Sequence, residues 1–363
     1  MHLSLKFQRF HLCLWALLLV IGSHPAHADP ETQANAAAAP EAIPDTTGRV
    51  IVTEENDYFV SNDDRHYTQG ARVSYLSGAV TPQGTWDDPY QWMSDHLPIF
   101  EGGDFKRKYD WTIMGQSLFT PKNLLTTSAQ SRDRPYAGWL YTGVGFLQDT
   151  RHDTHDTLEN AEILGGVVGP AAFGNLTQND WHQFIGVTAA RGWQNQIHNE
   201  PGIVLSYERK WRFEAPITGN FGVDAIPEAG ATAGNVFTYA ETGGLVRLGQ
   251  NLAADYGPTH IRPSLSGTDW YDKTRMVGPY GWYLFAGMQG RAVERNIFLD
   301  GNTLTSSAYV NKRPLVADFL GGLSLLWTDA LRVDFTYTER TKEFYGPQAT
   351  QDKFGGINLA FHF

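Results

Sequence analysis

From about residue 48 onward, apolar and polar positions alternate in short runs separated by turn-forming stretches. In Leu331–Thr338, the side chains of Leu331, Val333, Phe335 and Tyr337 fall on one face. Arg332, Asp334, Thr336 and Thr338 fall on the other. Residues 202–213 repeat the pattern, with Ile203, Leu205, Tyr207, Trp211 and Phe213 set against Ser206, Glu208, Lys210 and Arg212. A period of two sends successive side chains to opposite faces of a strand. Charges on one face and large apolar groups on the other fit a strand standing between a polar interior and lipid. The pattern predicts about twelve strands: 48–57, 66–77, 109–118, 137–148, 157–168, 202–213, 217–229, 236–248, 280–294, 309–325, 330–341 and 355–363. Segments 137–148 and 280–294 are apolar on both faces.

The last segment places Ile357, Leu359, Phe361 and Phe363 toward lipid and Asn358, Ala360 and His362 toward the lumen. Its terminal Phe resembles the signature of bacterial outer-membrane barrels, which implies the barrel-assembly machinery as a partner. The expected fold class is therefore all-β, a transmembrane antiparallel barrel with a short helix in an extracellular loop. That helix falls in residues 178–189 (QNDWHQFIGVTA), which lack strand alternation. They suit one to three helical turns, with Thr177 or Asn175 as cap. The connections 78–108 and 249–279 are long for the periplasmic side, where turns are usually short. Residues 90–97 of the first suit a short helix at the inner interface.

Composition agrees with a barrel. The chain has 47 aromatic residues and 37 glycines. After residue 28, no apolar run approaches the roughly 18 residues a transmembrane helix needs. The first 28 residues have the form of a secretory signal: Lys6 and Arg9, an apolar run from Leu12 to Gly22, and Ala26-His27-Ala28 for cleavage. Residues 29–47, rich in Ala and Pro, are expected to be a disordered lead-in, and the barrel to span 48–363. The one cysteine, Cys13, lies in the signal, which excludes disulfides and thiolate metal sites from the mature chain. Loss of Lys6 and Arg9 takes the net charge from −11 to −13, which argues against a nucleic-acid partner.

An even strand count puts both barrel ends in the periplasm and the connections after odd-numbered strands outside. That rim collects Asn56-Asp57, Thr68, Lys122 and His182. A histidine titrates near neutrality and suits a general base; a surface histidine in a polar loop fits the spacing as well. Asn56-Asp57, with Glu54-Glu55 before it and Asn62-Asp63-Asp64 after it, suits a hard cation, or simply an acidic, solvated loop. Thr68 offers a hydroxyl, although threonine at a strand start also reflects β propensity. Neither a G-x-S-x-G elbow nor an H-E-x-x-H zinc motif occurs. A His-activated water or a His-activated Ser/Thr remains. In a membrane barrel, such a set suggests hydrolysis of a lipid ester.

Four motifs in order carry a family resemblance: Glu55-Asn56-Asp57; Asp64-Arg65-x-Tyr67-Thr68-x-Gly70; Arg134-Pro135-Tyr136-Ala137-Gly138-Trp139; and Gly169-Pro170, Gln178, His182, Gly186, Gly192-Trp193, Gln196, Asn199-Glu200-Pro201. Together they resemble the outer-membrane lipid A 3′-O-deacylase family over about residues 48–363. The resemblance implies a twelve-stranded barrel in the bacterial outer membrane, with its site facing the outer leaflet. The implied substrate is lipid A or lipopolysaccharide, the implied reaction release of the 3′-acyloxyacyl chain, and the implied cofactor Ca²⁺, in chemistry similar to that of secreted phospholipase A2. By motif, His182 matches the base, Asn56 and Asp57 the calcium-side pair, and Thr68 the hydroxyl position. Lys122 matches a site lysine or is a phosphate-facing surface lysine. One departure stands out: Thr188 occupies a position where the family has a glutamate, so that the calcium shell is altered or filled by Glu54, Glu55 or Glu200. Alternatives are a phospholipid acyl hydrolase and a non-catalytic, porin-like or structural barrel.

Overall fold

The computed structural model describes residues 45–60, 64–263, 269–327 and 331–362. The expected signal, residues 29–44 of the expected lead-in, and Phe363 lie outside the described residues. Among the described residues, twelve strands form one closed antiparallel barrel. They are β1 (Arg49–Asn56), β2 (His66–Leu76), β3 (Phe105–Thr120), β4 (Ala137–Arg151), β5 (Asp156–Val168), β6 (Glu200–Thr218), β7 (Phe221–Gly234), β8 (Phe237–Gln250), β9 (Tyr280–Asn296), β10 (Leu315–Trp327), β11 (Leu331–Arg340) and β12 (Asp352–His362). Each pairs with its sequence neighbours, and β12 closes on β1 from Arg49↔His362 to Asn56↔Gly355.

The faces follow the alternation. On β11, Arg332, Asp334, Thr338 and Arg340 are buried while Phe335 and Tyr337 are exposed. On β6, Ser206, Glu208, Lys210 and Arg212 are buried while Ile203, Leu205 and Phe213 are exposed. A soluble protein would hide the second set; here the charged set is inside. The largest boundary error is at β10, which starts at Leu315 instead of 309. Pro314 cannot donate to a ladder and ends the preceding rim segment.

The two long connections on the rim of the termini do different work. Residues 77–104 fold back on the outer wall, and their helix α1 (Asp88–His96) matches the expected short helix. Tyr90 packs against Phe100, Tyr109 and Phe146. Its hydroxyl donates to the Lys108 carbonyl at 2.5 Å.

The described residues of the second connection, 251–263 and 269–279, by contrast, turn into the lumen and fill it. Tyr256, His260, Ile261, Arg262, Trp270 and Tyr271 are all buried there. The Arg262 guanidinium donates to Glu162 at 2.7 Å and to Glu208 at 2.9 Å. Asp269 receives Arg72, Ser74 and Thr259. Arg247 is held between Asp224 and Asp255. Inward-facing charges on opposite walls are too expensive to leave unpaired, and this segment brings their partners. Asp45, at the end of the expected lead-in, is also buried and accepts from Lys108 Nζ at 2.8 Å.

Candidate active site

His182 lies on the opposite rim, in the connection between β5 and β6. The helix α2 (Gly174–Ile185) carries it. This helix begins four residues before the expected 178 and ends four before 189. It is entered through Phe173 in the left-handed region, with neither Thr177 nor Asn175 as cap. Gly174 is needed at the start: a Cβ there would lie 2.6 Å from the Trp193 ring. Gly186, at φ +76°, ends the helix with its N–H on the His182 carbonyl.

The spacing of α2 sorts its side chains. Gln178 and His182, four apart, face inward and are buried. Phe173, Leu176 and Phe184 are exposed, and Trp181 stacks on Phe184 with centroids 5.6 Å apart. The helix thus shows an apolar flank outward above the lipid-facing wall.

His182 is 3% exposed, and each ring nitrogen has an oxygen partner. Nε2 faces Asp64 Oδ2 at 2.5 Å. Nδ1 donates to the main-chain carbonyl of Thr188 at 2.8 Å. Gln178 Nε2 donates to both Asp64 oxygens, at 2.9 and 3.1 Å. The Trp193 indole N–H in turn donates to Gln178 Oε1 at 2.7 Å. Burial pulls the His182 imidazolium toward losing its proton, but the hydrogen bond and charge of Asp64 outweigh it and raise the pKa.

Asn56 and Asp57 sit at the end of β1, where a 3-10 turn (Asp57–Phe59) begins. Asn56 Oδ1 caps the turn by accepting from the Tyr58 amide at 2.9 Å. Asp57 Oδ2 accepts from the Arg65 amide at 2.8 Å, so the residue that follows Asp64 ties the pair to the histidine's partner. Burial, followed by the charge of Asp64, raises the Asp57 carboxyl well above its ordinary range. Asp57 also lines a cleft of about 440 Å³ with Arg65, Lys342, Thr350, Gln351, Asp352 and Lys353.

Thr68 and Lys122 belong to a neighbouring arrangement. Thr68 is the extra residue of a bulge in β2, between Tyr67↔Phe119 and Gln69↔Leu118. Its hydroxyl shares a 2.7 Å hydrogen bond with that of Thr120. Lys122 is exposed, and its amide donates to Asp133 Oδ2 at 2.8 Å. The three carboxylates expected as substitutes for a glutamate at Thr188 have other partners. Glu54 accepts from Gln69, Glu55 from Tyr67 and the Ile261 amide in the lumen, and Glu200 from Asn235 and the Thr303 amide. Thr188 itself contributes its carbonyl to His182.

The residue missed as a partner of the histidine is Asp64. In the sequence it stood in the Asn62-Asp63-Asp64 run and at the head of the Asp64-Arg65-x-Tyr67-Thr68-x-Gly70 motif, with no role of its own. Gln178 gave a usable signal, since its four-residue spacing from His182 puts both on one helix face and calls for a common partner.

A Ca²⁺ ion needs oxygen ligands and negative charge. Asp57 offers carboxylate oxygens and Asn56 an amide oxygen that already accepts from the Tyr58 amide, and the charge of Asp64 acts against ionisation of Asp57. Carboxylate and amide oxygens are donor types that a hard cation takes. Among the described residues no group of three His, Cys, Asp or Glu side chains is placed around a single metal position, so carbonyl or water oxygens would complete a shell.

The solved structure of LpxR from Salmonella typhimurium resembles this barrel, with a TM-score of 0.65 and 19% sequence identity, covering 87% of this chain and 100% of that one. The β domain of the Bordetella autotransporter BrkA gives a TM-score of 0.43 at 7% identity, covering 87% and 98%. Comparison with curated proteins by sequence finds no match. Residues 12–363 match the family model described as outer membrane protein LpxR, and with the closed twelve-stranded barrel beneath the His182 rim, the chain belongs to that family of outer-membrane proteins.

Proposed function

We propose that the protein is an esterase of the outer membrane that removes the ester-linked 3′-acyloxyacyl chain of lipid A. Its rim with α2 faces the outer leaflet. The observation that carries this reading is the His182–Asp64 pair at 2.5 Å, placed under a helix whose other flank is apolar and exposed. A base there meets an ester at the depth of the bilayer surface. No acyl chain needs to be lifted into water, at about 0.8 kcal/mol per CH₂.

His182 takes a proton from water, and the water oxygen attacks the ester carbonyl. Asp57 and Asn56 would hold Ca²⁺, which supplies a Lewis acid for the negative charge that develops on the carbonyl oxygen. Thr68 is a weaker participant, since its hydroxyl is engaged with Thr120. Lys122, exposed on the same rim, suits contact with a lipid phosphate. The filled lumen supports an enzyme over a porin.

The test uses the full-length protein in detergent with lipid A, with and without Ca²⁺, and mass spectra of the products. The expected result is loss of one acyloxyacyl group, abolished by His182→Ala and by chelation. Equal release by His182→Ala removes His182 as the base. Hydrolysis of a glycerophospholipid in place of lipid A favours a phospholipid acyl hydrolase. Conductance in planar bilayers without any hydrolysis favours a porin-like barrel.

A further inference from the structure

Both nitrogens of His182 are occupied, and a base needs one of them free. A carbonyl only accepts, so Nδ1 carries a proton in this arrangement. Nε2 also points its proton at a carboxylate. One of these partners has to yield before water can be deprotonated.

The two are held very differently. Asp64 receives His182 and Gln178 from successive turns of α2, and Gln178 is itself anchored by Trp193. A charge-assisted hydrogen bond is also roughly twice as strong as a neutral one. The Thr188 carbonyl belongs to an exposed stretch without regular structure, residues 187–189. That stretch is fixed at its ends, by the Val187 amide on the His182 carbonyl and by the Ala190 amide on Asn179.

We propose that Asp64, clamped by Gln178, is the positioning residue that fixes the Nε2–H tautomer of His182, and that Nδ1 takes the proton of the attacking water in the place now filled by the Thr188 carbonyl. This rests on the esterase reading above. When residues 187–189 swing away, His182 gives up one proton to solvent and keeps the one on Nε2, facing Asp64. The Nδ1 lone pair then accepts a proton from water. The water oxygen forms a bond to the ester carbon, and the C=O pair moves onto oxygen. As the pair returns, the bond to the alcohol oxygen breaks, and that oxygen takes the proton from Nδ1. One ester and one water give one acid and one alcohol, with no further reactant. A carboxylate holding a catalytic histidine in one tautomer is worth about 10⁴-fold in kcat when replaced by its amide in serine proteases.

The test compares wild type, Asp64→Asn and Asp64→Glu, each checked for the heat-modifiable gel mobility of a folded barrel. In Asp64→Asn, one amide oxygen is divided between Gln178 and His182, and the Nδ1–H form stabilised by Thr188 takes over. The expected result is a fall in kcat on the order of 10³–10⁴-fold with KM unchanged, partial rescue by Asp64→Glu, and, in ¹⁵N NMR of imidazole-labelled protein at a pH where the His182 ring is neutral, a change from the Nε2–H tautomer in wild type to the Nδ1–H tautomer in Asp64→Asn. Wild-type kcat in Asp64→Asn, or the same tautomer in both proteins, overturns the proposal. If wild type hydrolyses no lipid ester, the esterase reading falls. The tautomer spectra, recorded without substrate, then decide the role of Asp64 by the same criterion.

Discussion

Two histidines near this rim each sit 2.5 Å from a carboxylate, yet their surroundings suit opposite purposes. His66 directs Nδ1 at Asp352 and has Nε2 3.5 Å from Asp133. Asp133 is fixed by the amides of Lys122 and Arg134, and Phe344 packs edge-on against the ring. Each group around His66 belongs to the barrel or to its tightly folded loops, and the residue is 1% exposed. His182 has one carboxylate, Asp64, whose side chain keeps 22% exposure. Its other nitrogen rests on a carbonyl from an exposed loop. A histidine closed on both sides by charge serves as a strut, whereas one closed on a single side has a nitrogen to offer. Proximity to a carboxylate alone does not distinguish them; what the second nitrogen meets does.

The sharpest way to break the comparison is to remove each ring. His182→Ala is expected to lower hydrolysis by about 10²–10⁴-fold while the barrel keeps the heat-modifiable gel mobility of the folded protein. His66→Ala leaves two buried carboxylates without their partner and is expected to cost about 3–5 kcal/mol of stability, measured by thermal unfolding in detergent. A His66→Ala protein as stable as wild type would remove the strut reading.

A smaller effect is expected at the apolar flank of α2. Phe184→Asp forgoes about 1.5–3 kcal/mol of burial in lipid. The apparent KM on bilayers should rise about tenfold or more, with no change on a short-chain ester in detergent; an equal change on both substrates would show damage to the site itself. Gln178→Leu leaves Asp64 and the Trp193 N–H short of a partner, worth about 1–3 kcal/mol. Activity should fall less than in Asp64→Asn, as read from kcat of the two variants side by side.

The smallest effect is a displacement in pH. His182 has a folded pKa above its ordinary value of about 6.5. Its contribution to stability is fully present below about pH 6.5 and is lost as pH rises through the raised folded value. Hydrolysis runs the other way, because the base works only after losing a proton. The acidic limb of kcat is expected above pH 6.5, and a limb at or below it would contradict the Asp64 pairing.

Much of the barrel was legible because alternation is local. Ile203 to Phe213 and Leu331 to Tyr337 declare their faces without reference to any other strand. The helix around His182 was legible as well, within four residues at either end, since Gly186 closes it and alternation is lost there. Its start was missed because Phe173 enters in a conformation that no capping residue announces. Asp64 was harder. Its partner lies 118 residues away, and nothing in the acidic run before β2 shows which carboxylate the barrel will turn toward α2.

The sequence by itself determined the strand number, the faces of the alternating strands, the rim on which Asn56, Asp57, Thr68, Lys122 and His182 gather, and the family. The strand number, the faces and the rim follow from a period of two and from the parity of twelve, and the family follows from the four ordered motifs, Glu55-Asn56-Asp57 to Asn199-Glu200-Pro201. Only the tertiary structure decided that residues 251–263 and 269–279 fill the lumen, that Asp64 is the carboxylate of His182, and that Thr68 pairs with Thr120. Those outcomes depend on which charges meet once the wall has closed. A buried charge takes the partner that geometry brings within reach, and geometry of that kind exists only after β12 has paired with β1.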